Sequence, residues 1–554
     1  MLVTITLQTG PDSEPFTREI EAGASLQDLY NEHRSRLPYR IIAVLVNNKE
    51  EDFTYIIERP CNIRFLDMRS NLADRVYQRS LCLLYLKAVY DTIRHADVKI
   101  LNSLNRGLYT EIHAPEPVTD AQITNIEKRM WELVDENLPI SKTVISRDDL
   151  IKYLGNIVSS EKIELLENTP DVHYIAVCEL GGYRNYFYGH VAPSTGFLRH
   201  FELHRFRSGI LVRYPHPSYP DQLPPYVDDN NIFDAFEEGW EIGQLFDLSY
   251  AGDLNRETAK GKAAEIIALS ERLHSAKISK IARMIKDRKK RIILIAGPSS
   301  SGKTTFSKRL IAELASLEIP ALYIGTDDYF IDRNKTPLDE KGEHNFEGLD
   351  AIDVDAFDTD INALLSGETV DIPIYDFIEG TRKYGVRKES LEADHLIVIE
   401  GIHALNRHLT EHIAEDEKFR IYISPLTQLN LDDHNRIPTT DVRLIRRMIR
   451  DGRTRGNSVV QTIKSWPKVR RGEDVNIFPY NSEADIVFNS ALIYELAVLR
   501  RHAENLLDQV GPDEAEYGDA TRLLDFLRFF KPIEDESAIP ENSILREFIG
   551  GGLV

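Results

Sequence analysis

The residues Gly297-Pro298-Ser299-Ser300-Ser301-Gly302-Lys303-Thr304-Thr305 follow an apolar run, Ile292-Ile293-Leu294-Ile295-Ala296, and lead into a segment with helical spacing from Phe306 to Leu317. Two glycines let a backbone turn so tightly that successive N–H groups face inward around an anion. A lysine beside the second glycine reaches the β- and γ-phosphates, and the next hydroxyl can ligate Mg²⁺. Gly297 to Thr305 is therefore expected to hold the phosphates of ATP or GTP, with Lys303 on the transferring group and Thr304 on the metal. A Gly/Ser-rich turn that matches by accident is the alternative, and the strand before it and helix after it count against that.

Phosphoryl transfer needs carboxylates beside such a loop. One must orient or deprotonate the attacking hydroxyl, a role worth about 10²–10⁴ in rate, and another must hold Mg²⁺ directly or through water. Asp327 follows the strand-like Ala321-Leu322-Tyr323-Ile324-Gly325, and Glu400 closes the apolar run after His395. An acidic residue just past a buried parallel strand is aimed at the ligand edge of its sheet. Asp327 suits the base and Glu400 the metal; Asp328 could replace Asp327 or cap the following turn. Arg443, Arg446, Arg447, Arg450, Arg453 and Arg455 crowd one short span. Spacings of three and four put the first four of these on one side of a helix, and Gly452 and Gly456 supply breakpoints for a lid that closes on ATP. One charged face of an exposed helix is the plainer alternative.

These groups must be positioned by strands alternating with helices, which implies a parallel sheet. At 554 residues the chain is too long for one core and suggests about three or four domains. Its net charge of −22 gives a polyanion such as RNA no global steering, so any RNA contact needs a local basic patch. Cys61, Cys82 and Cys178 lie far apart without a CxxC pair, which argues against zinc and disulfides and fits a reducing compartment. Met1 leads directly into an alternating strand pattern, and no apolar run reaches the ~18 residues of a membrane span, so a soluble cytoplasmic protein is expected.

Residues 1–67 read as strand, turn, strand, helix and further strands, with Val3–Leu7, a helix near Leu26 to His33, and Ile41–Val46. With Val46-Asn47-Asn48 as a turn and Ile63-Arg64-Phe65-Leu66 as a closing strand, the segment resembles the TGS domain of threonyl-tRNA synthetases, which implies a β-grasp fold. Residues 68–245 carry a helical pattern from Ile126 that ends at Pro139, then Gly189-His190-Val191-Ala192-Pro193-Ser194-Thr195-Gly196. They resemble the second N-terminal domain of the same synthetases. Its editing chemistry does not carry over. Arg79-Ser80-Leu81-Cys82-Leu83 stands where that family has a His-x-x-x-His pair, and Phe187 or a neighbour stands at its cysteine. Without those groups neither metal binding nor ester hydrolysis has its ligands or base. The domain is read as structural, regulatory or RNA-associated, His190 as a hydrogen-bonded structural residue, and His200 and His204 as a surface pair. Residues 246–290 read as a solvated connector helix whose Lys/Arg-rich end complements the helix dipole.

The P-loop, Asp327, Asn345-Phe346-Glu347, Pro373-Ile374-Tyr375-Asp376-Phe377, Glu400 and the basic run after Asp441 together resemble the uridine kinase/phosphoribulokinase family over about 291 to 500. The resemblance implies that Asp327 is the base toward a nucleoside 5′-hydroxyl, that Glu400 serves the metal, and that Tyr375 lies beside the acceptor base. It also implies phosphate clamping by Arg446, Arg450 and Arg455. Three departures bear on the acceptor. Ile378-Glu379-Gly380-Thr381-Arg382 lacks the base-reading histidine of pyrimidine kinases, Phe330 replaces a tyrosine, and Glu347 replaces a ribose-binding aspartate.

The expected architecture is a multidomain α/β protein, with a β-grasp domain, an α+β synthetase-like domain and a P-loop NTPase parallel sheet with flanking helices at 291–510. A C-terminal stretch at 511–554 contributes a docking helix around Leu523–Phe530 and an extended end available for oligomer contacts. The expected activity is ATP- and Mg²⁺-dependent phosphorylation of a small hydroxyl compound, a nucleoside first, with a sugar phosphate as the alternative acceptor. An RNA- or tRNA-sensing regulator with an ATP switch is the competing class.

Overall fold

The computed structural model describes residues 1–104, 106–155, 160–169, 171–338, 342 and 344–553. Strands made almost entirely of Ile, Leu and Val have no polar face and belong inside a sheet covered on both sides. Ile292–Ala296 is such a strand, buried at every position. It lies at the centre of a five-stranded sheet in the order Ala321–Gly325, Leu396–Glu400, Ile292–Ala296, Lys418–Ser424, Ile486–Asn489. Every neighbouring pair is parallel. The P-loop, Asp327 and Glu400 therefore emerge along one edge of one sheet. Alternate residues serve opposite layers: Ile293 and Ile295 pack with Phe306, Leu310 and Leu314 of helix Lys303–Ser316. Ile292 and Leu294 pack with Phe357, Ile361 and Leu364 of helix Val354–Leu365 on the other side.

Two segments beyond the family-like stretch are built into this core, one of them expected to be solvated. The stretch read as a solvated connector forms helices Ala251–Ala259 and Ala263–Arg288. The second buries Ile266, Ile267, Ile278, Ile281 and Ile285 in the same cluster as the P-loop strand. Its basic residues occupy the outward face only, which corrects the solvated reading. The stretch after 510 forms helix Tyr517–Leu527, whose Leu523, Phe526 and Leu527, with Phe530 just beyond, join that cluster too. Its apolar side chains are thus covered within the chain.

Residues 1–67 form a sheet in the order Phe16–Glu21, Leu2–Gln8, Cys61–Asp67, Ile41–Val46, Lys49–Glu51, with its first and last long strands parallel. Helix Leu26–His33 crosses it, started by a Ser25/Asp28 capping box. The next region is organised by helix Asn71–Thr92, buried around most of its circumference, which packs on helix Asp120–Glu136. An antiparallel four-stranded sheet and a three-stranded sheet flank the pair. The sheet of residues 1–67 touches the C-terminal stretch, where the Asn48 side chain donates to the Pro512 carbonyl at 3.1 Å. Cys61, Cys82 and Cys178 are buried free thiols. Among the described residues no helix is long and apolar enough to cross a membrane.

Candidate active site

The loop after Ile292–Ala296 needs its glycines for different reasons. A Cβ on Gly297 would stand 2.1 Å from the Ile423 carbonyl oxygen of the adjoining strand. Gly302 has φ +84°, a left-handed conformation that a side chain disfavours. Ser300 adopts a positive φ of 61° as well, so the loop curls with its amides inward. The Lys303 ammonium donates to the Pro298 carbonyl at 3.3 Å and lies 4.0 Å from Glu400 Oε1. Thr304 Oγ1 donates to Glu400 Oε2 at 3.1 Å, and the Tyr323 hydroxyl donates to the same oxygen at 2.9 Å. Burial pushes the Glu400 carboxyl up to about 7, with Lys303 opposing the rise and Asp327 adding to it. Thr304 and Glu400 thus bring two hard oxygen donors together, a set that fits Mg²⁺.

The structure separates the two aspartates. Asp328 Oδ1 accepts the backbone N–H of Tyr375 at 3.3 Å, fastening strand Val370–Asp376 to the sheet edge. Burial raises its carboxyl pKa, with Asp327 adding and the Tyr375 amide opposing. Asp327 remains half-buried beside Glu400. Phe330, Tyr375 and Phe377 form an aromatic group with centroids 5.6 Å apart for the first pair and 5.1 Å for the second. Glu347 packs on Gly472, and desolvation pushes its carboxyl up to about 7 against the pull of Arg447. In the turn lacking a base-reading histidine, Ile378 is exposed and Arg382 is tied to Asp353 at 2.7 Å.

The arginines divide sharply. On helix Thr439–Thr454, Arg443 and Arg446 reach the carbonyl side of the P-loop rather than its open mouth. Arg446 is fully buried, paired with Glu495 at 2.9 Å and donating to the Ser490 carbonyl at 2.9 Å. Arg443 is likewise buried against Glu473, and it donates to the Ser299 carbonyl at 2.9 Å. Both brace the loop from beneath, so the placement of Arg446 on the phosphate side is corrected: two buried glutamates hold these guanidiniums where they are. Arg447 donates to Ser299 Oγ at 2.8 Å, while Arg450 bonds Asp451 at 2.9 Å. Arg455, just past the helix, stands over the Phe377 ring at 5.5 Å with its side chain 41% exposed. Burial, then the charge of Arg450, lowers it to about 10. Gly452 lies inside the helix, and of the two expected breakpoints only Gly456, at φ +69°, interrupts it.

Sequence reasoning passed over Tyr323, Glu473 and His403. Tyr323 was visible as the polar member of its strand. Glu473, whose carboxylate also accepts the Ser299 N–H at 3.3 Å, gave no signal, being one acid in a mixed-charge helix. His403 sits buried three residues past Glu400, and desolvation lowers its pKa to about 4.

A second polar site lies among the N-terminal elements. His190 Nδ1 contacts Asp52 Oδ1 at 2.7 Å, and Lys142 donates to Asp52 Oδ2 at 3.1 Å. Burial alone would raise Asp52, but His190 and Lys142 outweigh it and hold the carboxyl down to about 2. Arg79 donates to the His190 carbonyl at 2.8 Å. Arg79, Lys142 and His190 border a cavity of about 600 Å³ that Arg75, Arg436 and Arg522 also line. His204 lies on strand Glu202–Phe206 and packs on Tyr226, while His200 precedes that strand, so the two form no ligand pair.

Residues 292–496 match the model of the phosphoribulokinase/uridine kinase family. The chain is similar to a uridine kinase of Halalkalibacterium halodurans, 30% identical over 35% of this chain and 84% of that protein. It is similar to one of Leuconostoc citreum at 30% identity over 32% of this chain and 75% of that protein. The N-terminal region is similar to a threonine–tRNA ligase of Fusobacterium nucleatum, 26% identical over 30% of this chain. The chain spans only 27% of that ligase's length.

Proposed function

The chain belongs to the phosphoribulokinase/uridine kinase family, and from that premise we propose that it transfers the γ-phosphate of ATP to a hydroxyl of a small molecule, the 5′-hydroxyl of a nucleoside first. The observation that carries the reading is the convergence of Lys303, Thr304, Glu400 and Asp327 at the mouth of the P-loop. The inward-curled loop and the Thr304/Glu400 oxygens fit a magnesium nucleotide; bound there, Mg²⁺ supplies charge neutralisation at the phosphates.

In this reading the P-loop amides and Lys303 hold the phosphates in line with the acceptor. Asp327 takes the proton of the acceptor hydroxyl as its oxygen forms the bond to the γ-phosphorus, and the bond from that phosphorus to the bridging oxygen breaks, leaving ADP. Arg455 and Arg450, toward the open side, steady charge on the transferring group. Arg443 and Arg446 act as positioning residues that fix the loop. Phe330, Tyr375 and Phe377 offer an aromatic wall to a planar base, and Glu347 a carboxyl to a vicinal diol. Since no base-reading donor follows Tyr375, discrimination among bases is weak, and a sugar phosphate remains the other acceptor to try.

The test is ADP release by the purified protein with Mg-ATP across nucleosides, sugars and sugar phosphates, beside Asp327→Ala and Lys303→Ala. An acceptor that stimulates turnover in the wild type and fails in both variants supports the reading. ATP binding without any stimulating acceptor sinks it. A second reading, RNA contact, is favoured by the Arg-lined cavity where the N-terminal elements meet residues 431–441 and 518–529. Salt-dependent binding of tRNA that Arg436→Glu weakens would support it; salt-independent or absent binding would remove it.

A further inference from the structure

The segment from Ser543 to Gly550 runs across the P-loop. Ile544 seats on Gly302, where an added Cβ would come within 2.4 Å of the Ile544 side chain. The short helix Arg546–Ile549 follows. Phe548 is fully buried with its ring 4.9 Å from the Arg446 guanidinium, and Arg453 donates to the Glu547 carbonyl at 3.2 Å. These contacts aim the Glu547 side chain at the loop. Its Oε2 accepts from Thr305 Oγ1 at 2.8 Å and lies 3.5 Å from the Thr305 amide nitrogen.

Thr305 closes the run of residues that forms the phosphate cradle, and its N–H and hydroxyl are donors of the kind such a loop presents to phosphate. A carboxylate is the protein group that best imitates a phosphate edge at paired donors. Glu547 also stands near enough to Glu400 for its charge to help raise that carboxyl. A carboxylate and a nucleotide phosphate cannot share those donors: the contacts exclude each other and the charges repel.

We propose that Glu547 is an internal competitor for nucleotide, its carboxylate holding the Thr305 donors of the P-loop so that ATP enters only as that carboxylate leaves. The proposal rests on the nucleotide-binding reading of the loop. Ile544, Leu545 and Phe548 are fully buried in the kinase core, so the exchange is local to Glu547 and the positive-φ turn Gly550-Gly551.

Calorimetric titration of the full chain with ATP and with inorganic tripolyphosphate tests it, using wild type, Glu547→Gln and Lys303→Ala. Glu547→Gln keeps the side-chain shape and removes the charge, so both ligands should bind about tenfold more tightly or better. Equal or weaker binding by Glu547→Gln, with the wild type binding normally, overturns the proposal. Failure of every folded protein, wild type included, to bind either ligand sinks the P-loop reading itself. Should Glu547→Gln misfold, amide hydrogen exchange on the wild type decides: faster exchange across Glu547–Gly551 on adding ATP supports displacement, and unchanged or slower exchange overturns it.

Discussion

The kinase cleft and the N-terminal polar cluster are both built from carboxylates and cations withdrawn from water, yet their carboxyl groups are shifted in opposite directions. In the cleft, Glu400 and Glu347 are each pushed up to about 7. Burial costs these groups more than their neighbours return. In the N-terminal cluster Asp52 is held down to about 2 by His190 and Lys142. There the chain supplies both sides of the interaction. The difference teaches how to tell a site that awaits a ligand from one whose polar groups complete each other: in the first, the protein bears an electrostatic deficit that an arriving cation can relieve.

The widest separation between the two regions should appear in turnover. Asp327→Ala is expected to lower kcat by about 10²–10⁴, whereas Asp52→Asn and His190→Ala should leave acceptor-stimulated ADP release within about twofold of wild type. Loss of turnover in the N-terminal variants would break the comparison. Within the kinase half the arginines sharpen it. Arg446→Met strands the buried Glu495, and chemical denaturation should register a loss of about 3–5 kcal/mol. Arg455→Ala should change stability by under about 1 kcal/mol while lowering kcat about 10²-fold.

A smaller effect is expected from pH. Glu347 carries its proton below about 7, so kcat/KM for a diol acceptor should rise as pH passes from 6 to 8, and Glu347→Gln should flatten that limb. The linked effect on stability has the opposite sign. Since the folded-state pKa stands above the ordinary value of 4.5, this group's contribution to stability is fully present below that value and is lost as pH rises through about 7. The smallest expected effect is that of Asp52. Its folded pKa lies below the ordinary 3.8, so its contribution is present above that value and fades as pH falls toward 2. Partial exposure keeps this below about 1 kcal/mol, which acid denaturation of Asp52→Asn against wild type would measure.

Much of this arrangement was legible along the chain. Ile292–Ala296 followed by two glycines, a lysine and a threonine states both strand and loop locally, and helix Leu26–His33 appears where its spacing puts it. Spacing also placed Arg443 and Arg446 on one helical side. It could not say what that side meets, because their partners Glu473 and Glu495 lie 30 and 49 residues downstream. Glu547 is further out of reach, 242 residues from Thr305. Helix Ala263–Arg288 is a different case: Ile266, Ile267, Ile278, Ile281 and Ile285 spell an apolar stripe that the lysines and arginines crowding its end mask in the sequence.

Helix Ala263–Arg288 and helix Tyr517–Leu527, packed on the P-loop strand's own cluster, set a limit on how this protein can be cut. The stretch that matches the kinase family is 292–496, and an excised piece with those ends would leave behind both helices. The seats of Ile281, Ile285, Leu523 and Phe526 would then face water as a continuous greasy surface, the kind that draws copies of a fragment together into aggregates. The unit of ancestry and the unit of autonomous folding therefore have different boundaries here. Dissection that respects the second would also keep Leu165, Leu248, Ala251 and Leu254, which belong to the same cluster, and retain the chain through Gly550.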